Sequence, residues 1–149
     1  MLIYKTGNLL RAEENVICHQ VNEHGVMGAG LALQIANRYP SVEFDYKYFC
    51  ARNQDLYGKY LVSKIGDKKY IANCFTQRDF VTNLQDITLV FSGLLEACRL
   101  NKFTIAIPYG YGCGIATGNW KEIEGLFNRL SEKYDIDISI YRLDGSEVW

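Results

Sequence analysis

The sequence between residues 103 and 114 is FTIAIPYGYGCG, in which a short apolar run leads directly into a loop rich in glycine. A run that is apolar on both faces is typical of a central strand in a sheet covered on both sides, and Pro108 marks its end. Glycines let an anion approach the main chain closely, and successive N–H groups supply the partial positive charge that the anion needs. This stretch therefore predicts a buried strand that ends in an anion-binding loop.

The sequence between residues 19 and 30 is HQVNEHGVMGAG and has the same organisation. A strand predicted over residues 15–21 leads into the glycine-containing loop, and the apolar spacing of residues 29–38 predicts a buried helix directly after it. Helix N-termini attract anions, and ligands of α/β sheets lie beyond the carboxyl ends of strands. The pair of loops favours a diphosphate ligand. Neither loop matches a Rossmann or P-loop signature, so a dehydrogenase or nucleotide kinase is a weak alternative.

Strands and helices alternate along the rest of the chain. Further strands are predicted over residues 2–5, 60–65, 69–75 and 136–141, the middle two forming a hairpin, and further helices are predicted from Ser41 and over residues 86–100 and 119–133. In the helix from Ser41, the predicted inward-facing residues are Val42, Phe44, Tyr48 and Phe49. No repeat or linker divides the chain, so residues 1–149 should form a single α/β domain around a mixed sheet.

Composition and charge exclude several classes of partner. Sixteen basic and seventeen acidic residues leave a formal net charge of −1, which provides no basic surface for nucleic acid or an anionic membrane. No segment approaches the roughly 18 apolar residues of a membrane span, and the N-terminus lacks the apolar core of a signal peptide. Five cysteines without metal-binding spacing favour reduced thiols in a cytoplasmic protein, and neither a metal nor a cofactor is expected.

Three segments together resemble the macro domain family: His19-Gln20-Val21-Asn22, residues 25–32 and residues 107–114. The sequence is most similar to the small phage and bacterial members that process ADP-ribose 1''-phosphate, and to the terminal ADP-ribose glycohydrolase branch. The resemblance implies a three-layer α/β/α fold with a mixed central sheet of about six strands. It also implies ADP-ribose or an ADP-ribose derivative as the ligand. An ADP-ribosylated macromolecule is a further expected partner, with nucleic acid expected only in that form.

The resemblance assigns ligand contacts to particular residues of this chain. Asn22 should hydrogen-bond the distal ribose, because an amide both donates to and accepts from a hydroxyl group; its alternative role is to bond the backbone of its own turn. Adenine should contact Asn8 and Leu9, where many members have Gly-Asp-Ile or Gly-Asp-Leu, and should stack on Tyr141. The residues expected around the diphosphate are Met27, Gly28, Ala29 and Gly30 on one side and Tyr111, Gly112, Cys113, Gly114 and Ile115 on the other.

Two functions follow from the resemblance, and the sequence leaves both open. A hydrolase would remove a group from C1'' of the distal ribose, either a phosphate or an ADP-ribosyl ester or adduct, with His19 and Asn22 as the catalytic residues. His19 resembles a histidine of the eukaryotic ADP-ribose 1''-phosphate phosphatases, although a lone histidine in a strand is more often a core residue. A non-catalytic reader of ADP-ribose is favoured by Gln77 and Ala116, which stand where the glycohydrolase branch has a lysine and an acid.

Overall fold

The structure, a computed structural model, describes residues 1–147 and residue 149. Its strands are β1 (Leu2–Thr6), β2 (Val16–Val21), β3 (Tyr60–Gly66), β4 (Lys69–Phe75), β5 (Gln77–Arg78), β6 (Val81–Thr82), β7 (Ile105–Pro108) and β8 (Ile138–Arg142). Its helices are α1 (Gly30–Arg38), α2 (Pro40–Arg52), α3 (Leu84–Asn101) and α4 (Trp120–Tyr134), together with a 3-10 turn at Leu9–Arg11. Every strand and helix predicted from the sequence is present.

Six of the strands form one sheet in the order β1-β8-β7-β2-β4-β3. Neighbouring strands are parallel except for β3 and β4, which form the antiparallel hairpin predicted from the sequence. The prediction of a mixed six-stranded sheet is therefore confirmed.

The sheet is covered on both faces, as the alternation along β2 shows. Ile17 and Val21 belong to the core that includes residues of α1 and α2, whereas Cys18 belongs to the core formed with α3 and α4. A strand that is buried on both sides is apolar at nearly every position, which explains the continuous apolar runs in the sequence. The result is a three-layer α/β/α arrangement with one core on each side of the sheet.

Strands β2 and β7 are parallel neighbours, with Val16 opposite Ile105 and Ile17 opposite Ala106. The chain therefore leaves both strands at the same edge of the sheet, and the two glycine loops emerge side by side. Strand β4 lies beyond β2, and β8 lies beyond β7, so the pair is flanked by a strand end on each side. Ligand sites of α/β proteins lie at this edge.

Helix α2 differs from the prediction in its start and in its buried face. It begins at Pro40, one residue earlier than predicted, because the first position of a helix needs no N–H and suits the fixed φ of proline. Phe44 and Tyr48, predicted to face the core, are 68% and 52% exposed. Val42, as predicted, is buried, and the other buried residue is Tyr46, which lies one turn further along the same side of the helix.

The short hairpin of β5 and β6 is not predicted from the sequence. Two-residue strands carry no periodic signal, and the turn is Asp79-Phe80 rather than one of the usual glycine-containing pairs. Both turn residues have positive φ angles, +46° and +64°. The hairpin lies beside the loop that follows β7, since the N–H of Thr82 donates to the carbonyl oxygen of Ala116 at 3.1 Å.

The structure shows whether the thiols form disulfide bonds and whether the helices have membrane-spanning length. All five cysteines are free thiols, and burial raises the pKa values of Cys18 and Cys98. These buried thiols therefore stay protonated. Within residues 1–147 and 149, no helix combines the length and the apolarity needed to cross a membrane.

Candidate functional site

A cleft of about 590 Å³ opens between the two glycine loops. This volume lies in the range of small-molecule sites, roughly 300–1,000 Å³. Of the residues predicted to form the site, the cleft brings together His19, Asn22, Gly28, Ala29, Gly30, Tyr111, Gly112, Gly114 and Ile115. The lining also includes Gln20, Val26, Gln77, Phe80, Ala116 and Trp149.

The loop after β2, loop 1 (residues 22–29), is held by Asn22 and Tyr46. The Asn22 amide donates to the carbonyl oxygen of Val26 at 2.8 Å, and its Oδ1 accepts from the His24 N–H at 2.9 Å. The Tyr46 hydroxyl lies 2.7 and 2.8 Å from the two oxygens of Asn22, and it accepts from the N–H of Val26 at 3.1 Å. Asn22 therefore organises its own turn, while its second amide N–H stays available to a ligand.

The first turn of α1 begins at the cleft without a side-chain cap. Its N-cap residue is Ala29, whereas Asn83 and Asn119 cap α3 and α4 by accepting backbone N–H groups at 2.9 and 3.1 Å. The first N–H groups of a helix have no partner within the helix. At α1 these groups and the helix dipole are available to an anion in the cleft.

The loop after β7, loop 2 (residues 109–119), is anchored by a buried tyrosine. Tyr111 is 1% exposed, its ring packs edge-on against phenylalanines of α3 and α4, and its hydroxyl lies 2.7 Å from the hydroxyl of Thr76. The carbonyl oxygen of Gly112 accepts from Thr82 Oγ1 at 2.6 Å. Gly112 has a φ of +72°, and a Cβ there would lie 2.8 Å from Thr82 Oγ1, so the loop requires glycine at this position.

Loop 2 presents main-chain donors to the cleft. The N–H groups of Gly112, Gly114 and Ile115 donate to no atom of the described residues. Among the lining residues that the structure describes, none is Lys, Arg, Asp or Glu. An anion in the cleft would therefore be bound by main-chain dipoles rather than by a charged side chain.

His19 lies in the cleft lining and is only 1% exposed. Its Nε2 lies 2.7 Å from Asn73 Oδ1, and because the Asn73 amide donates to the carbonyl oxygen of Leu61, Nε2 is the donor. Nδ1 has no partner among the described residues. Burial lowers the pKa of His19 to about 4, and the hydrogen bond to Asn73 opposes this shift only in part. The imidazole is therefore neutral at neutral pH and offers one acceptor.

A buried polar network that was not predicted from the sequence joins the ends of β2 and β4 to the β5–β6 hairpin. The Gln20 amide donates to Thr76 and Thr82 at 3.1 and 3.2 Å, and its Oε1 accepts from Gln77 at 3.0 Å. Gln77 Oε1 is buried and unpartnered within the described part of the chain. Gln77 and Ala116 both line the cleft, and neither has an ionisable side chain.

Three predicted contact residues pack within the protein rather than in the cleft lining. Leu9 and Met27 are 0% and 3% exposed and belong to the core beside α1 and α2. Cys113 is half-buried, and its thiol donates to the carbonyl oxygen of Tyr111 at 3.4 Å. Burial raises the pKa of the Cys113 thiol, so this side chain stays protonated.

Asn8 and Tyr141, both expected at the adenine, line a second cavity of about 430 Å³. Asn8 Oδ1 accepts the N–H of Leu10 at 2.9 Å, and its amide donates to Glu147 at 2.8 Å. The Tyr141 hydroxyl donates to Glu14 at 2.5 Å, and Tyr141 is 8% exposed. These two side chains are therefore engaged inside the protein and are not part of the cleft lining.

Trp149 lines the cleft, although the sequence provides no periodic signal that singles it out. It belongs to the segment after β8, the strand next to β7. Glu147, two residues earlier, accepts from Asn8 and is ion-paired with Arg11. These contacts hold Glu147 against the 3-10 turn, and the half-buried Trp149 indole packs against the core beside α1 and α2.

Comparison with solved structures identifies the family. The macrodomain of DarG from Mycobacterium tuberculosis matches this structure with a TM-score of 0.84 and 30% sequence identity, covering 95% of this chain and 97% of that chain. The chain belongs to the macrodomain family. A DNA ADP-ribosyl glycohydrolase from Mycobacterium tuberculosis is 31% identical over 97% of this chain. An ADP-ribose 1''-phosphate phosphatase from Lodderomyces elongisporus is 28% identical over 87% of this chain and 87% of its own length.

The similarity extends along nearly all of the macrodomain but not along all of each relative. The chain spans 43% of the length of the DNA ADP-ribosyl glycohydrolase that it matches. No protein-family model matches the chain. The family resemblance that three short segments indicated is nevertheless confirmed by both the sequence relatives and the fold.

The buried neutral His19 predicts a pH-dependent stability. Its pKa is about 4 in the folded protein and about 6.5 in an unfolded chain, so between these values only the unfolded chain takes up a proton. The stability contributed by the neutral imidazole is complete above the unfolded-state pKa of about 6.5, and it is lost as the pH falls toward the folded-state pKa of about 4. Between about pH 7 and about pH 5, the free energy of unfolding measured in urea should fall by roughly 2 kcal/mol more for the wild type than for a His19→Gln variant. Equal losses would contradict burial of a neutral His19.

Proposed function

We propose that this macrodomain binds ADP-ribose in the cleft and hydrolyses a group linked to C1'' of the distal ribose. The proposal is carried by one observation: two sets of unpartnered main-chain donors, the first turn of α1 and the N–H groups of loop 2, border the same cleft. A diphosphate between them would meet donors on both sides. The functions for which the two relatives are named, DNA ADP-ribosyl glycohydrolase and ADP-ribose 1''-phosphate phosphatase, support the same ligand.

The order of the strands supports one orientation of the ligand. The ends of β8, β7, β2 and β4 are adjacent, and at about 4.8 Å per strand they extend over roughly 14 Å. Trp149 follows β8, whereas Gln77 and Phe80 follow β4, with the two glycine loops between them. ADP-ribose would lie along this line of groups, with adenine at Trp149, the diphosphate at the two loops and the distal ribose at the β4 side.

Asn22 and His19 offer complementary groups at the distal ribose. Asn22 has one amide N–H to donate, and His19 Nδ1 has one lone pair to accept. Together these groups would orient a ribose hydroxyl or the attacking water. Since an imidazole with a pKa of about 4 is a weak base at neutral pH, the proposed contribution of His19 is orientation of the water, while the main-chain clamp holds the substrate.

A non-catalytic reader of ADP-ribose is the second candidate. Gln77 and Ala116 line the cleft at the positions where the glycohydrolase branch has a lysine and an acid, and neither side chain ionises. For either function, residues 1–149 would act as one macrodomain, and an ADP-ribosylated macromolecule is a further proposed partner. The five free thiols support a reducing compartment such as the cytoplasm.

Gly114→Val should strongly weaken ADP-ribose binding without disturbing the fold. A Cβ added at Gly114 meets no atom within 4 Å, so the protein has room for the side chain, which would fill the space proposed for the diphosphate. Gly112 is less suitable, because its positive φ and its contact with Thr82 make any side chain there disruptive. Calorimetry should show a loss of affinity of at least about tenfold.

The matched control is Gly66→Val in the β3–β4 hairpin, where an added Cβ makes an ordinary contact at 3.6 Å and the cleft is distant. This variant should bind ADP-ribose as the wild type does. AMP should bind the wild type much more weakly than ADP-ribose, because it lacks the second phosphate and the distal ribose. Normal binding by a folded Gly114→Val protein would place the phosphates elsewhere.

Trp149 should report adenine binding through its fluorescence. The chain has two tryptophans, and Trp120 Nε1 has no hydrogen-bond partner within the described residues. Trp120→Phe therefore breaks no hydrogen bond, keeps an aromatic ring against Tyr109 and leaves Trp149 as the single reporter. ADP-ribose should quench this emission, whereas ribose 5-phosphate, which has no base, should not. Trp149→Ala should weaken ADP-ribose binding by roughly 1–3 kcal/mol, the usual worth of a stacked base. Unchanged Trp149 emission at saturating ADP-ribose would mean that Trp149 does not contact the adenine.

Turnover of ADP-ribose derivatives with different groups on C1'' separates the hydrolase from the reader. If His19 orients the water, His19→Ala should lower turnover by roughly 10²-fold or more while changing ADP-ribose affinity little. Asn22→Ala should lower both the turnover and the affinity for ADP-ribose, because Asn22 also holds loop 1. Wild-type protein that binds ADP-ribose but cleaves no member of the panel would favour the reader. Full activity of the His19→Ala variant would mean that groups other than His19 orient the attacking water.

A further inference from the structure

Phe80 is an aromatic side chain in the cleft lining to which the proposed function assigns no role. It is 44% exposed, although it belongs to the cleft. It is the second residue of the Asp79-Phe80 turn, and its φ angle is +64°. A bulky residue is strained in this left-handed region, and such strain tends to persist where surrounding structure enforces it at functional sites.

Neighbouring groups hold the turn in this conformation. The N–H of Asp79 donates to a carboxylate oxygen of Glu23 at 3.0 Å. The Phe80 ring stacks on the imidazole of His24, with ring centroids 4.9 Å apart and 27° between the planes. The aromatic ring is therefore fixed in position, packed on His24 on one side and partly accessible from the cleft.

Phe80 lies at the end of the cleft where the proposed function places C1''. Its stacking partner His24 is two residues from Asn22, the proposed contact of the distal ribose. Gln77, which begins the same hairpin, also lines this end of the cleft, and its amide donates a hydrogen bond to Gln20 near the end of β2. A group attached to C1'' and extending away from Asn22 would therefore meet the Phe80 ring.

The charges around Phe80 are unfavourable for a phosphate. Carboxylate oxygens of Glu23 and Asp79 lie 3.1 and 3.3 Å from His24 Nε2, directly beside the aromatic pair. Burial alone would raise the pKa of Glu23, but hydrogen bonds, including that from the Asp79 N–H, outweigh it and hold the pKa below its usual range. Arg78, on the same hairpin, is held by Asp86 through two hydrogen bonds of 2.9 Å.

We infer, on the basis of the proposed function, that Phe80 and His24 form a stacking platform for a planar heterocyclic ring linked through nitrogen to C1'' of ADP-ribose. Stacking tolerates different rings, since every such ring has a π face. A phosphate monoester at the same place would be near the two carboxylates that flank His24, which lie just outside the cleft lining, and it would find no lysine or arginine among the described lining residues. The platform thus selects the substrate class by the shape and charge of the group on C1''.

The α and β anomers of NAD⁺ are suitable probes, because each carries a planar nicotinamide ring on C1''. In calorimetry, Phe80→Ala should weaken the tighter-binding anomer by about tenfold, within the range expected for loss of one stacked ring. The same variant should change the affinities for plain ADP-ribose and ADP-ribose 1''-phosphate by less than about twofold, because neither carries an aromatic ring on C1''.

Two further variants complete the test. Phe80→Tyr keeps an aromatic ring and should retain the wild-type affinity for NAD⁺. Val81→Ala, a truncation at the next residue, which is 58% exposed and outside the cleft lining, should leave every affinity unchanged.

Three results would overturn the platform while leaving the proposed function intact: an unchanged NAD⁺ affinity in Phe80→Ala, an equal loss for all ligands, or tighter wild-type binding of ADP-ribose 1''-phosphate than of either NAD⁺ anomer. Absence of ADP-ribose binding by the wild type would instead contradict the proposed function itself. A selective loss for the ring-bearing ligand, restored by tyrosine, would support the platform.

Discussion

Parallel pairing of β2 with β7 is the constraint on which the cleft depends. The two glycine loops have no core of their own, and they meet only because the strands that precede them are neighbours in register. A slip of one residue would turn Ile17 and Cys18 toward the wrong faces, since successive side chains of a strand alternate. The two cores thus set the register, and the register sets the distance between the loops.

Each core also fixes one loop through a buried tyrosine. Tyr46 extends from α2, in the core on one side of the sheet, and its hydroxyl holds Asn22 and Val26 of loop 1. Tyr111 packs in the core on the other side and holds loop 2 through Thr76. Burial raises the pKa values of both phenols, so both keep the proton that a hydrogen-bond donor needs. The cleft is therefore shaped from both layers before any ligand arrives.

The centre of the cleft and its β4 end differ in chemistry. Its centre presents main-chain N–H groups and, within the described lining, no charged side chain, so recognition of a diphosphate there would depend on backbone geometry. The β4 end instead presents neutral His19, the amides of Asn22 and Gln77, and the strained aromatic Phe80. What the β4 end of the cleft accepts therefore depends on a set of side chains separate from the main-chain donors at its centre.

The residues expected at adenine show where prediction from sequence stops. Asn8 and Tyr141 match a family pattern, yet Asn8 donates to Glu147 and Tyr141 donates to Glu14, partners that lie 139 and 127 residues away. No local pattern reveals such partners. The strained Asp79-Phe80 turn escaped prediction for a related reason, because its conformation is imposed by contacts with Glu23 and His24 rather than preferred by its own residues.

By itself, the sequence determined the alternation of strands and helices, the mixed sheet and the two glycine loops, because periodicity and the absence of a Cβ act over a few neighbouring residues. Only the tertiary structure decided which side chains reach the cleft. It buried His19 as a neutral acceptor, bonded Tyr141 to Glu14 outside the cleft lining and placed Trp149 within that lining. The physical reason is that pKa values, hydrogen-bond partners and exposure depend on groups that are distant in the chain and adjacent only after folding.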